Sequence, residues 1–378
     1  MSVAPDAQAQ WLMTVDAGYR QMLDAIAAAR VSVRLECYIF QPGEPGDAFR
    51  AALVAAARRR VWVRVLVDGF GSKELPADYW RELTEAGGSV GVFNPLALDR
   101  IAIRNHRKLM VVDEALSFVV GFNIAPEYVG DGVTRGWRDL GLVLRGDTPK
   151  HLAASFDEMW EARAFRHPYG LRFWFSTLRR RLVACSSAEV MAMGPGLGRN
   201  AFHASLLRSL RRARNVRIVS AYFVPSFRLR RALQRVARRG GRVRLLLAGK
   251  TDVPLVQAAG RAFYGALLQA GVEIAEYQPQ VLHAKLALVD GAVFAGSSNL
   301  DARSLGINYE LMVRLPDAAL AEQGRKIFEA DWARARVIDA AQWARGRSWL
   351  TRWRESVALF LLTRFDLWFA RRQLRRLS

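Results

Sequence analysis

The strongest constraint on this chain is that it is written twice. Val31-Ser-Val-Arg-Leu-Glu-Cys-Tyr-Ile-Phe40 reads as a strand, and so does Val216-Arg-Ile-Val-Ser-Ala-Tyr-Phe-Val224. Each is followed by an amphipathic helix, with apolar positions Phe49, Ala52, Leu53 and Ala56 in the first half and Leu229, Ala232, Leu233 and Val236 in the second, a constant offset of 180. A basic turn and an apolar strand come next in each half, Arg58 to Gly69 and Arg238 to Gly249. Leu83-Thr-Glu-Ala-Gly87 and Leu267-Leu-Gln-Ala-Gly271 then read as helix ends with a glycine stop. Last come His106-Arg-Lys-Leu-Met-Val-Val-Asp113 and His283-Ala-Lys-Leu-Ala-Leu-Val-Asp290. Strands alternating with helices predict an α/β lobe, and two such lobes make the protein.

The expected organisation is a first lobe over 1–162, a basic aromatic connection over 163–182, a second lobe over 183–340 and an amphipathic tail over 341–378. Residues 163–181 interleave Arg163, Arg166, Arg172, Arg179, Arg180 and Arg181 with Phe165, Tyr169, Phe173, Trp174 and Phe175. Beyond 341 the tail carries nine Arg and four Trp against only Glu355 and Asp366. The whole chain holds 56 Lys+Arg against 35 Asp+Glu, a net charge of +21, which implies a polyanionic partner: nucleic acid or an anionic membrane surface. Two cysteines, Cys37 and Cys185, exclude a disulfide framework, and they could make a structural zinc site only with several His, of which the chain has just five, so a zinc enzyme is not expected. The N-terminus has neither the basic nor the apolar region of a signal peptide. No apolar run approaches the roughly 18 residues of a membrane span.

The chemistry sits in the two copies of His-x-Lys-x4-Asp. Residues two apart on a strand share a face, so His106 pairs with Lys108 and His283 with Lys285. If the lobes pack with approximate twofold symmetry, two imidazoles and two ammonium groups converge on one cleft. Two ammonium groups can hold the nonbridging oxygens of a phosphodiester. One neutral imidazole can attack phosphorus, and the other, protonated, can donate to the leaving alkoxide. No metal and no cofactor is called for. A single His-x-Lys is usually an ordinary surface pair; two copies at matching places in a duplicated chain reverse that weighting. His151, His167 and His203 have no such setting and read as structural or solvated.

These paired motifs resemble the signature of the phospholipase D superfamily. The flanks, Gly121-Phe-Asn123 with Trp137-Arg-Asp139 and Gly296-Ser-Ser-Asn-Leu-Asp-Ala-Arg-Ser304 with Asn308-Tyr-Glu310, look like those of the bacterial cardiolipin synthases, most similar to the shorter B type. The resemblance implies two pseudo-twofold lobes, each a mixed, mostly parallel sheet flanked by helices. It also implies roles: Asn123 and Asn299 assist Lys108 and Lys285 in holding phosphate, and Asp139 and Glu310 accept the ring N–H of the histidines. His106 is then the nucleophile and His283 the acid and base, while Asp113 and Asp290 complete the motif and support the scaffold more than they touch substrate. Where the family commonly has Gly-Gly, this chain has Val120-Gly121, and a Val that tolerates positive φ poorly predicts a slightly different turn there.

Lipid is favoured over nucleic acid by three features: the Arg-aromatic segments at 163–181 and 343–376, a tail that alternates apolar and basic clusters, and the Asn-Leu-Asp-Ala-Arg-Ser run. The expectation is a phosphatidyltransferase on the cytoplasmic face of a bacterial inner membrane, peripheral, acting on phosphatidylglycerol with phosphatidylethanolamine as a second candidate donor, and complete as a monomer. The alternative is a phosphodiesterase of the same superfamily that cleaves nucleic acid or hydrolyses phospholipid.

Overall fold

A computed structural model of the chain describes residues 8–95, 102–163, 181–195 and 200–366. Most of the basic aromatic connection and the end of the tail, with His167 and Trp368, lie outside the described residues. The first lobe is built on seven strands: β1 (Ala9–Leu12), β2 (Ser32–Cys37), β3 (Trp62–Asp68), β4 (Ser89–Phe93), β5 (Leu109–Val112), β6 (Leu116–Val120) and β7 (Gly141–Leu144), in the order β1-β7-β6-β5-β2-β3-β4. Helices α1 (Val15–Ala28), α2 (Gly46–Arg58), α3 (Arg81–Glu85) and α4 (Thr148–Ala162) cover it.

The second lobe repeats the pattern. Its strands are β8 (Arg181–Ala184), β9 (Glu189–Met193), β10 (Asn215–Ser220), β11 (Arg242–Lys250), β12 (Glu273–Val281), β13 (Lys285–Val289), β14 (Ala292–Gly296), β15 (Glu310–Leu315) and β16 (Ala335–Val337). They form one sheet in the order β16-β12-β11-β10-β13-β14-β15-β9-β8. Helices α5 (Ala201–Leu210), α6 (Phe227–Arg238), α7 (Pro254–Arg261), α8 (Tyr264–Leu268), α9 (Ala302–Gly306) and α10 (Ala318–Trp332) surround it, followed by α11 (Ala340–Arg345) and α12 (Trp349–Phe360). Gly87 and Gly271 close α3 and α8 with φ of 93° and 88°, a conformation that suits glycine.

Alternation along the motif strands explains how the lobes join. Leu109 and Val111 of β5 point into a core shared with Leu286 and Leu288 of β13, together with Phe156, Leu246 and Phe328. Their neighbours Met110 and Val112 face the first lobe's own core, against Phe49, Leu53 and Tyr19. Ala287 and Val289 face the second lobe's core, against Leu229, Leu233 and Phe294. Both faces of each motif strand are therefore buried, which is why these runs read as unbroken hydrophobic sequence.

The two-lobed mixed α/β expectation holds, but the sheets are mostly antiparallel, not mostly parallel. Only β2-β3-β4 and β10-β11-β12 run parallel, and these are the strands joined through helices. Each motif strand instead turns straight back: β5 pairs antiparallel with β6 and β13 with β14. Loops of two or three residues can join only antiparallel strands. Asp113 and Asp290 sit at these turns with φ of 52° and 50°. Asp113 accepts from the backbone N–H groups of Arg30, Val31 and Ser32 at 3.0, 2.7 and 2.8 Å, and Asp290 accepts from those of Arg214 and Asn215. Each aspartate thus ties the hairpin to the start of the neighbouring central strand. Asp113→Ala should cost about 1–3 kcal/mol, the scale of losing such bonds, read as a lower urea midpoint; an unchanged midpoint would show that the clamp carries no stability.

Candidate active site

The motif side chains lie at the ends of β5 and β13, just before the regular strands begin at Leu109 and Lys285. His106, Lys108 and His283 are therefore on the segments leading into the strands rather than on the strands themselves. Those segments are held by the opposite lobe. The His106 backbone N–H donates to the Tyr309 carbonyl at 2.9 Å, and that of His283 donates to the Arg138 carbonyl at 2.8 Å. Asn105 pairs with Tyr309 and Arg138 with Leu282 as isolated parallel bridges. Each histidine is thus aligned with the residue that precedes a carboxylate of the other lobe.

The carboxylates complete the exchange. His106 Nδ1 meets Glu310 Oε2 at 3.0 Å, and His283 Nδ1 meets Asp139 Oδ2 at 2.6 Å. A carboxylate can only accept here, so Nδ1 carries the proton and Nε2 keeps its lone pair for chemistry. Asp139 Oδ1 accepts from the Leu140 backbone N–H at 2.8 Å, and the Ser297 hydroxyl donates to Glu310 Oε2. Burial alone would raise the Asp139 pKa, but the His283 hydrogen bond and the Lys285 charge hold its carboxyl below the ordinary range. The two sides are not identical. Tyr128 Oη lies 3.5 Å from His283 Nε2, whereas no protein partner stands at His106 Nε2 among the described residues.

Both lysines are buried. Lys108 Nζ donates to the His106 carbonyl at 2.7 Å; Lys285 Nζ donates to the His283 carbonyl and lies 2.8 and 2.9 Å from the two ring nitrogens. Desolvation pushes Lys108 down to about 7, against the pull of Glu310, and Lys285 down to about 8, against the pull of Asp139. The same burial lowers His106, and together with the Lys285 charge it brings His283 down to about 4. Burial thus makes all four of these groups hold their protons less tightly than exposed ones do.

His106, His283, Asn123 and Asn299 line one open cavity of about 820 Å³. Asn123 Oδ1 accepts from the Ile39 backbone N–H at 3.1 Å, and its amide N–H donates to Tyr128 Oη at 2.7 Å. Asn299 Oδ1 and Asn308 Oδ1 are buried there with no hydrogen-bond partner, two acceptors available to a donor on a ligand. Among the described residues no group of three His, Cys, Asp or Glu side chains could hold a metal ion. The remaining candidates, Asp113 and Asp290, are not brought to the cavity. Each lies five residues past its lysine, about 16 Å along an extended chain, at the far end of a motif strand. Of the histidines read as structural or solvated, His203 bonds Ser226 Oγ at 2.8 Å and His151 is exposed.

Val120 proves to be an extended residue of β6, opposite Gly141, and needs no positive φ. Its counterpart at the end of the matching strand of the second lobe is Gly296, with a φ of 149°, so the two lobes do turn differently at this point. The glycine that matters is Gly121, where a Cβ would stand 2.2 Å from Asp139 Oδ1; in the other lobe a Cβ on Gly296 would meet the Leu311 carbonyl at 2.2 Å. Sequence reasoning missed the aromatic walls: Tyr38 stands 5.1 Å from the His106 ring, and Tyr128 5.3 Å and Trp137 5.5 Å from that of His283. Nothing in their spacing marks them, although Trp137 sits beside Asp139 in the flank. Also unforeseen are Asp252 and Asp301 on the cavity wall; Asp252 accepts from the Tyr222 hydroxyl at 2.6 Å, and burial raises Asp301 to about 6.

Similarity to known proteins identifies the family. The family model described as cardiolipin synthase, phospholipase D-like domain, matches residues 22–160 and 206–332. The chain is 31% identical to cardiolipin synthase A of Pectobacterium carotovorum subsp. carotovorum over 353 residues, covering 90% of this chain and 72% of that protein. It is 30% identical to cardiolipin synthase 1 of Bacillus cereus over 338 residues, covering 85% of this chain and 66% of that protein. Among solved structures, phosphatidylserine synthase of Haemophilus influenzae Rd KW20 has the same fold, with a TM-score of 0.69 at 14% identity over 96% of this chain and 95% of that one. These names establish the family and do not divide its A and B types.

The lysine shifts make a signed prediction. An unfolded Lys108 stays protonated up to its ordinary pKa of 10.5, while the folded one titrates at about 7, so wild-type stability rises with pH across that interval. The penalty of burying the charge is fully present below about 7 and fades toward 10.5. Urea unfolding of Lys108→Met should therefore show the variant gaining most relative to wild type at low pH, and losing that advantage as pH rises through the interval. A difference that stays flat with pH would mean the buried ammonium is not destabilised.

Proposed function

The chain belongs to the cardiolipin synthase group of the phospholipase D-like family, and from that premise we propose that it transfers a phosphatidyl group between phospholipids through a covalent phosphohistidine. One observation carries the reading: two imidazoles line a single cavity, each fixed through Nδ1 by a carboxylate of the opposite lobe. That arrangement presents two Nε2 lone pairs, with two buried ammonium groups beside them.

His106 Nε2 attacks the phosphorus of one phosphatidylglycerol. The bond from phosphorus to the headgroup oxygen breaks, and His283 supplies the proton that releases glycerol. A hydroxyl of a second phosphatidylglycerol then gives its proton to His283 and attacks the same phosphorus; the phosphorus–nitrogen bond breaks and cardiolipin leaves. His106 is favoured as nucleophile because its Nε2 has no protein partner among the described residues, whereas that of His283 faces Tyr128 and Lys285. His283 titrates at about 4 before substrate enters. The phosphodiester anion raises the proton affinity of the coupled His283–Lys285 pair, and the proton used for release belongs to that pair rather than to one residue.

Lys108 and Lys285 neutralise the phosphoryl oxygens in a site of low dielectric, where such contacts are strongest. This assigns to lysine what a divalent cation does in other phosphoryl transfers, so the reaction proceeds without metal. Phosphatidylglycerol serves as donor and acceptor, with phosphatidylethanolamine as a second donor. Exchange of one phosphodiester for another changes bond energies little, and added glycerol drives the reaction backward.

His106→Ala and His283→Ala should each lower cardiolipin formation from labelled phosphatidylglycerol by more than about a thousandfold while leaving the chain folded by circular dichroism, with a lower urea midpoint because Glu310 or Asp139 loses its buried partner. Label trapped on protein should survive in His283→Ala given a donor with a good leaving group, and be absent in His106→Ala; the reverse pattern would exchange the two roles. Exhaustive chelation should leave the rate unchanged. Loss with EDTA and recovery with magnesium would overturn the lysine assignment.

A further inference from the structure

A second cavity, of about 450 Å³, lies away from the cleft between α5 and α6 of the second lobe. Leu207, Leu210 and Ala232 contribute its apolar lining, and Arg211, Arg228, Arg231, Arg235 and Arg239 its cations. Positions 228, 231, 235 and 239 fall on one helical face, turned about 120° from the Leu229, Leu233 and Val236 that bury α6 in the core. Arg228, Arg231 and Arg235 are exposed, and neither α5 nor α6 contains an Asp or Glu. Among the described residues no carboxylate forms an ion pair with any of the three, whereas other arginines of this lobe, such as Arg217, Arg242 and Arg244, are each paired. Arg239 differs: its guanidinium donates to the Leu210 and Ala213 carbonyls at 3.0 and 2.7 Å and so staples the groove.

Like charges three and four residues apart on a helix repel one another. A partner with closely spaced negative charges offsets that cost. The apolar surroundings identify the partner. Phe227 opens α6 and is 61% exposed, with the guanidinium carbons of Arg230 and Arg231 each 5.6 Å from its ring. An exposed ring beside guanidinium groups suits the boundary between headgroups and acyl chains. Val224, only three residues earlier, lines the cleft, so at most about 10 Å of chain separates the two. Leu255 and Leu361 on the cleft wall are themselves 43% and 40% exposed. A nucleic acid lying in the groove would leave these side chains in water; a bilayer would cover them.

We propose that the α5–α6 groove binds the phosphate-bearing headgroups of an anionic bilayer and holds the mouth of the cleft against it. The orientation rests on the lipid-transfer reading of the cleft; binding at the groove does not. The test is a triple variant, Arg228→Gln, Arg231→Gln and Arg235→Gln, with Arg239 left in place. Sedimentation with phosphatidylcholine vesicles containing phosphatidylserine, at about 0.1 M salt, should weaken about a hundredfold, about fivefold for each of the three charges lost. Turnover of detergent-dispersed phosphatidylglycerol should be unchanged. The corresponding triple Arg→Lys variant should bind vesicles nearly as wild type does, showing that charge and not folding is lost. Unchanged sedimentation of the Gln variant would overturn the proposal. So would a Gln variant that keeps vesicle binding but loses retention of a single-stranded oligonucleotide, or equal loss in the Lys variant. Should the protein prove inactive on phosphatidylglycerol, the sedimentation result still decides the groove.

Discussion

The exchange of carboxylates between lobes is the constraint on which the rest depends. His106 of the first lobe is held by Glu310 of the second, and His283 of the second by Asp139 of the first. The same crossing occurs in the backbone, where each histidine N–H donates to the carbonyl of the residue just before its partner carboxylate. Neither lobe therefore contains a complete site. A shift of one lobe by an ångström or so would break both ion–dipole contacts at once and leave buried carboxylates unpaired, a costly state. The geometry of the candidate site and the packing of the lobes are in this sense one property.

That coupling explains the distribution of polar groups around the site. Two lysines, two histidines and two carboxylates are buried together, and desolvation lowers the lysines and histidines. Stability has to come from elsewhere, and the apolar core shared by β5, β13, α4 and α10 lies directly beneath. The supporting carboxylates follow the same logic. Glu36 Oε1 accepts from the Asn105 amide at 2.7 Å, and Asp68 Oδ2 accepts from the Asn105 backbone N–H at 2.8 Å, so buried acids of β2 and β3 brace the segment that carries His106. The motif aspartates brace the opposite ends of the same strands.

Duplication did not leave the halves equal. The first lobe supplies Tyr128 and Trp137, both packed on His283, while among the described residues Tyr38 is the one ring facing His106. The C-terminal helices belong to one side only. Ala358 of α12 is buried in the second lobe's core with Leu359 and Leu362 packed against it, and Leu361, Leu362 and Thr363 form part of the cleft wall. Trp349, Trp353 and Phe360 remain exposed on the other side. Over its described length the tail therefore does two things at once, packing with one face and offering apolar side chains with the other. No helix among the described residues is long and apolar enough to cross a membrane.

The repeat, the two lobes and the residues that would do chemistry could be read from the sequence because each depends on local pattern: periodicity marks elements, and a motif written twice marks a site. Asp139 and Glu310 were reached only through resemblance. That the pairs cross between lobes, that the sheets are mainly antiparallel, and that Val120 is harmless while Gly121 is constrained were settled by tertiary structure. So were the aromatic walls, the acids at the cleft and the arginine groove. The physical reason is the same in each case: these features depend on which distant segments meet at van der Waals distance, and a one-dimensional pattern records what each face of an element is like, not what it faces.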